Sequence, residues 1–124
     1  MFIFNADDKT VVPDKELIES NILICLRRGF DVVFEGNFKV TTHKELLSRL
    51  FKIHPDENYV FYLQASLVET LRRHGTRIEK IISEEKMKEL YGYATPINHP
   101  AETIVPESSS VEETVKLIQT TAGI

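Results

Sequence analysis

Apolar positions recur at helical spacing in some stretches of the chain and run almost without a break in others, and the two kinds of stretch alternate. The opening Met1 to Phe4 is short and apolar and reads as a strand, closed by the polar stretch Asn5 to Lys9. Pro13 and Asp14 then supply a first-turn proline and an acidic start for a helix over 14–28. Arg27 and Arg28 suit its negative end, and Gly29 stops it. Residues 31–36, DVVFEG, form a nearly continuous apolar run, the pattern of a strand covered on both faces in a parallel sheet. Thr42-His43-Lys44-Glu45 reads as a capping box ahead of the stripe Leu46, Leu47, Leu50 and Phe51.

The same sequence of patterns then returns. Residues 58–63, NYVFYL, read as a second buried strand, and Ser66-Leu67-Val68-Glu69 as a second capping box with Leu67, Val68 and Leu71 turned inward. Helices are predicted over 83–91 and 110–120, the last opened by the box Ser110-Val111-Glu112-Glu113. Between them lie a turn-rich stretch, 94–101, and a short strand, 102–105. Alternating strands and helices predict an α/β fold with a parallel sheet and right-handed crossovers. Ligands in such folds sit beyond the carboxyl ends of the strands. Glu35, Gly36, Asn37, Gln64 and Ala65 are therefore the positions at which chemistry is expected.

Composition narrows the classes. The chain has 124 residues, 42% hydrophobic and 27% charged, enough to build a core within one domain spanning 1–124. Its longest apolar run, Ile22 to Leu26, is far below the roughly 20 residues of a membrane span. Two aspartates within the first eight residues argue against a secretory leader, and the single cysteine, Cys25, suits a reducing compartment, so a cytoplasmic protein with a buried thiol is expected. A formal charge of −4 argues against a binder of nucleic-acid polymers. The four histidines have no metal-ligand spacing, so no metal site is expected, and no Gly-x-Ser-x-Gly elbow supports acyl transfer.

Against this acidic background, residues 69–77 concentrate Arg72, Arg73 and Arg77 with His74, and Lys80 extends the cluster. Guanidinium forks match phosphate oxygens in pairs and keep their charge, so the cluster is a candidate phosphate clamp; composition alone favours the other reading, a solvated basic helix end paired with Glu69 and Glu79. Glu35, at the carboxyl end of its predicted strand, could hold magnesium through water, accept a hydroxyl proton or orient an arginine, and it could as well be a loop carboxylate. Tyr59 and Tyr62 read as core. Tyr91 and Tyr93 either line a pocket or pack a loop.

Taken in order, RRGFDVVFEGNF, YVFYLQASLVETLRRHGTR, the Met87 to Tyr91 helix and ETIVPESSSVEETVKLI resemble the C-terminal two-thirds of small P-loop kinases of the AAA_33, zeta-toxin-like and shikimate- or nucleotide-kinase-like group, over residues 13–120. The resemblance implies a three-layer kinase-like fold with ATP and magnesium as donor and a nucleotide or small molecule as acceptor. It further implies Glu35, Arg72 and Arg77 as catalytic, and Arg72, Arg73, Arg77, Pro106 and Ser108 as nucleotide-binding. The chain departs from the group at one decisive place. A phosphate cradle requires Gly-x-x-x-x-Gly-Lys-Ser/Thr, whereas glycine occurs here only at 29, 36, 75, 92 and 123, with no Gly-Lys pair. The first strand and P-loop helix of the group are thus missing or replaced. The expectation is an incomplete kinase-like domain that is not catalytically self-sufficient, with Met1 to Phe4 or a second copy of the chain, as homodimer or strand swap, closing the gap in the sheet.

Overall fold

The computed structural model describes residues 14–78 and 82–124. It is mixed α/β, with α1 Asp14–Arg27, α2 Val40–Phe51, β1 Val60–Leu63, α3 Leu67–Gly75, α4 Glu84–Tyr91, β2 Glu102–Val105 and α5 Val111–Ala122. The chain forms two compact units, Met1–Ile53 and His54–Ile124. The expected strand at Met1 to Phe4 and the cation Lys80 lie outside the described residues.

In the first unit, α1 and α2 are joined by a two-pronged ion pair. Arg49 donates from Nε and Nη2 to the two carboxylate oxygens of Glu19, each at 2.8 Å. Those hydrogen bonds hold the Glu19 carboxyl below its usual range. α1 ends where expected, at Gly29, whose φ of +77° is open to glycine at no steric cost. Cys25 is exposed, which corrects the expectation of a buried thiol.

Residues 31–36 do not form a strand, contrary to the sequence pattern. Val32 and Phe34 are half-buried while Asp31, Val33 and Glu35 are exposed, so the run has one covered side rather than two, and Val33 is 90% exposed. The chain instead bends at Gly36. Phe34 and Phe38 bring their ring centroids to 4.5 Å and Phe38 meets His43 edge-on at 5.6 Å. A Cβ on Gly36 would stand 3.2 Å from the Phe38 ring, so a side chain there would require that ring to move by a few tenths of an ångström.

α2 begins at Val40, earlier than the predicted box. Lys39, in extended conformation, is its N-cap and makes no side-chain cap bond. Thr42 is inside the helix, and its hydroxyl turns back to the Lys39 carbonyl at 3.3 Å. Leu46 and Leu47 of the predicted stripe are buried.

The second unit carries the sheet. β1 and β2 run parallel in the register Val60 to Glu102, Phe61 to Thr103, Tyr62 to Ile104 and Leu63 to Val105. Parallel neighbours need a long crossover, here supplied by α3 and α4, which pack together. β1 is covered less fully than its apolar sequence predicts. Val60, Phe61 and Tyr62 are half-buried, whereas Leu63 is 65% exposed at the carboxyl end; Val105 beside it is buried. The α3 side chain His74 is 3% exposed, and its Nε2 bonds the Ile82 carbonyl at 3.0 Å, tying the end of α3 to the start of α4. Among the described residues, its Nδ1 is buried without a partner.

Candidate functional site

The parallel ladder continues one residue past β1 through the Gln64 amide, which donates to the carbonyl of Val105, the last residue of β2, at 2.8 Å. Beyond that bond the two chains diverge, one into Ala65 and Ser66 and the other into Pro106 and Glu107. The cleft between them holds about 350 Å3 and is completed by Tyr91. A second cleft of about 340 Å3 shares Gln64, Ala65, Pro106 and Glu107 with the first and extends toward Arg73, Leu63 and the first turns of α5. Both open at the carboxyl ends of parallel strands, where the sequence pattern placed Gln64 and Ala65. Tyr91 adopts the pocket-lining alternative, donating its hydroxyl to the Ala65 carbonyl at 3.0 Å. Tyr62 donates to the Ala94 carbonyl at 3.0 Å, and burial holds its phenol above the usual range, with Tyr91 and Glu102 adding to the shift.

The wall on the α3 side is set by its cap. Ser66 is the N-cap and accepts from the Glu69 amide at 3.2 Å, the first half of a capping box. The reciprocal half is missing from Glu69. The Ser66 amide instead donates to the Glu107 carboxylate at 2.6 Å, across 41 residues of sequence. Glu69 is committed elsewhere. Its carboxylate accepts from Arg72 Nε and Nη2, each at 2.7 Å, and from Arg73 Nε at 2.6 Å. These hydrogen bonds, from Arg72 first and Arg73 second, pull its pKa from 4.5 down to about 2. Arg73 spends Nη2 on the Glu107 carbonyl at 3.0 Å.

The expected site residues are therefore distributed unevenly. Of the three arginines, Arg73 lines a cleft, and Arg72 and Arg77 line neither. Arg77 is exposed and has no ion pair among the described residues. Pro106 lines both clefts, while Ser108 is exposed beyond them. Glu35 is an exposed residue of the first unit, and the clefts are built wholly within the second. Sequence reasoning missed the role of Glu107, whereas the pairing of Arg72 and Arg73 with Glu69 is the solvated-helix-end reading it held open, the arginines standing three and four residues after Glu69 and competing with the cap for its carboxylate.

Among the described residues, no three His, Cys, Asp or Glu side chains are grouped to hold a metal ion, and no helix is long and apolar enough to cross a membrane. Comparisons with protein-family models, curated proteins and solved structures found no match.

Proposed function

We propose that the chain is a P-loop kinase-like domain with no Gly-x-x-x-x-Gly-Lys cradle among these residues, whose strand-end cleft binds a nucleotide or another phosphorylated ligand without completing phosphoryl transfer. The observation that carries this reading is the convergence of Arg73 with the carboxyl ends of β1 and β2 on one pair of joined clefts. A guanidinium there supplies what a phosphate oxygen requires, a fixed charge and directed N–H donors. Catalysis requires more than one such contact. Phosphoryl transfer depends on positioning and on charge stabilisation around the transferred group, and this sequence has no Gly-Lys pair to cradle it.

The arrangement of the cluster favours binding over chemistry. Arg72 and Arg73 share the single Glu69 carboxylate, which holds both guanidinium groups in place and leaves one net positive charge for an anion, so neither is poised free above a transferring phosphoryl group. The described side chains fit the phosphates better than the magnesium that resemblance to the kinases implies. In this reading, magnesium enters only with the nucleotide, and no step depends on a protein-built metal site.

Titration of the 124-residue chain with magnesium ATP, following heat of binding and phosphate release together, tests the proposal. Binding tighter than millimolar without turnover, lost in Arg73→Ala, is the expected result. Turnover by the purified chain would overturn the non-catalytic half of the reading, and absence of binding would overturn the phosphate-site half.

A further inference from the structure

The second cleft sets aliphatic side chains beside a cation. Val105, buried, and Leu63, its register partner and 65% exposed, line it from the sheet. Val111 and Val115, one turn apart on α5, line the same space and are 76% and 47% exposed. The hydroxyls of the lining turn to one another, Thr114 Oγ1 donating to Ser109 Oγ at 3.0 Å. Arg73 is less fully engaged. Of the five N–H groups of its guanidinium, Nε–H goes to the Glu69 carboxylate and one on Nη2 to the Glu107 carbonyl. The other three, on Nη1 and Nη2, have no partner among the described residues. Charged donors that are unused call for an anion, and the exposed aliphatic strip next to them calls for hydrocarbon.

We infer that the ligand is a soluble phosphate monoester of a short aliphatic alcohol, with its phosphate oxygens on the unused N–H groups of Arg73 and its chain along Leu63, Val111 and Val115. The inference rests on the reading of the cleft as a phosphate site and names the class of ligand it takes. No bond of the protein has to break for such a ligand to enter, because the donors it uses are those that Glu69 and Glu107 leave over. A nucleobase is served less well. The lining of the second cleft includes no aromatic side chain on which a base would stack, Tyr91 belonging to the first. A volume of about 340 Å3 stands at the small end of the range for ligand pockets, which suits a short chain.

Isothermal titration of the full chain with ethyl phosphate, hexyl phosphate and ATP tests the assignment. Complete burial of one methylene tightens binding about fourfold, and burial of one side in an open groove about twofold, so hexyl phosphate should bind roughly tenfold more tightly than ethyl phosphate. The double variant Val111→Thr and Val115→Thr keeps the shape of the strip but makes it polar; it should cut that preference to about threefold and leave ethyl phosphate unchanged. Arg73→Gln should weaken both alkyl phosphates by the same factor. Equal binding of ethyl and hexyl phosphate, or tighter binding of ATP than of hexyl phosphate, would overturn the aliphatic assignment and leave the phosphate site standing. Hexyl glucoside binding as tightly as hexyl phosphate, or no binding of any phosphate, would overturn the phosphate site and the assignment with it. Far-ultraviolet circular dichroism of each variant, matched to wild type, establishes that the comparison is between folded proteins.

Discussion

At the scale of single residues, Glu69 shows how a side chain with two available roles is assigned one of them. As the fourth residue of a Ser-x-x-Glu box it is spaced to accept the N-cap amide, yet two guanidinium groups lie within reach on the following turn, and hydrogen bonds from charged donors are the stronger. Its carboxyl is consequently held near 2 rather than 4.5. A carboxyl whose pKa is lower in the folded state contributes stability above its unfolded value, and that contribution fades as pH falls through the folded one. Stability should therefore decline between about pH 4.5 and pH 2 in part through this group. Urea unfolding at a series of pH values should show a shallower decline in Glu69→Gln over that window. Equal slopes for the variant and wild type would mean that the arginines do not hold the carboxylate in solution. The exposure of both arginines keeps the size of the effect small, because water screens such pairs.

At the scale of elements, the helices were largely legible and their beginnings differ in an instructive way. Ser66, Ser83 and Ser110 each accept from the amide three residues on, and Ser110 with Glu113 completes a full reciprocal box. Thr42 has the same local sequence signature and does not cap, because the backbone enters the helix three residues earlier, at Lys39. A Thr-x-x-Glu pattern records what a side chain can do; the backbone path before it decides whether the chance arises. Ser110→Ala should cost about 1 kcal/mol of stability, while Thr42→Ala should be neutral or slightly stabilising, since alanine is the better interior residue. Thermal melts of the two variants measured side by side check the contrast, and similar losses would place the start of α2 at Thr42 after all. The strands were less legible than the helices. Val60 to Leu63 and Glu102 to Val105 were found because each has a neighbour to pair with, whereas residues 31–36 have the composition of a strand without a ladder among the described residues. Apolar content can be read one residue at a time, but pairing is a property of two segments. For the candidate site the same limit applied: Gln64, Ala65 and Arg73 follow from position and charge, Pro106 entered only through the kinase resemblance, and the 41-residue reach from Ser66 to Glu107 has no local trace.

At the scale of the whole molecule, residues 31–36 and 102–105 both read as strands in sequence and have opposite standing, and this bears directly on the kinase-like reading. A three-layer sheet of that kind would cover residues 31–35 on both faces, as parallel strands require. In the structure Val33 is 90% exposed, while Val105, in the sheet of the second unit, is 3% exposed. Burial predicts the energetics: truncating a buried valine removes methyl groups from the interior and leaves a small cavity, whereas truncating an exposed one changes little. Val105→Ala should therefore destabilise the protein by about 2 kcal/mol, and Val33→Ala should stay within about 0.5 kcal/mol of wild type. Urea denaturation of the two variants gives the comparison, and amide exchange adds a second reading, with slow exchange at Gln64, whose amide bonds Val105, and fast exchange over 31–36. A loss at Val33 as large as that at Val105, together with protected amides over 31–36, would show that this run does pair in solution. The sheet would then extend beyond two strands.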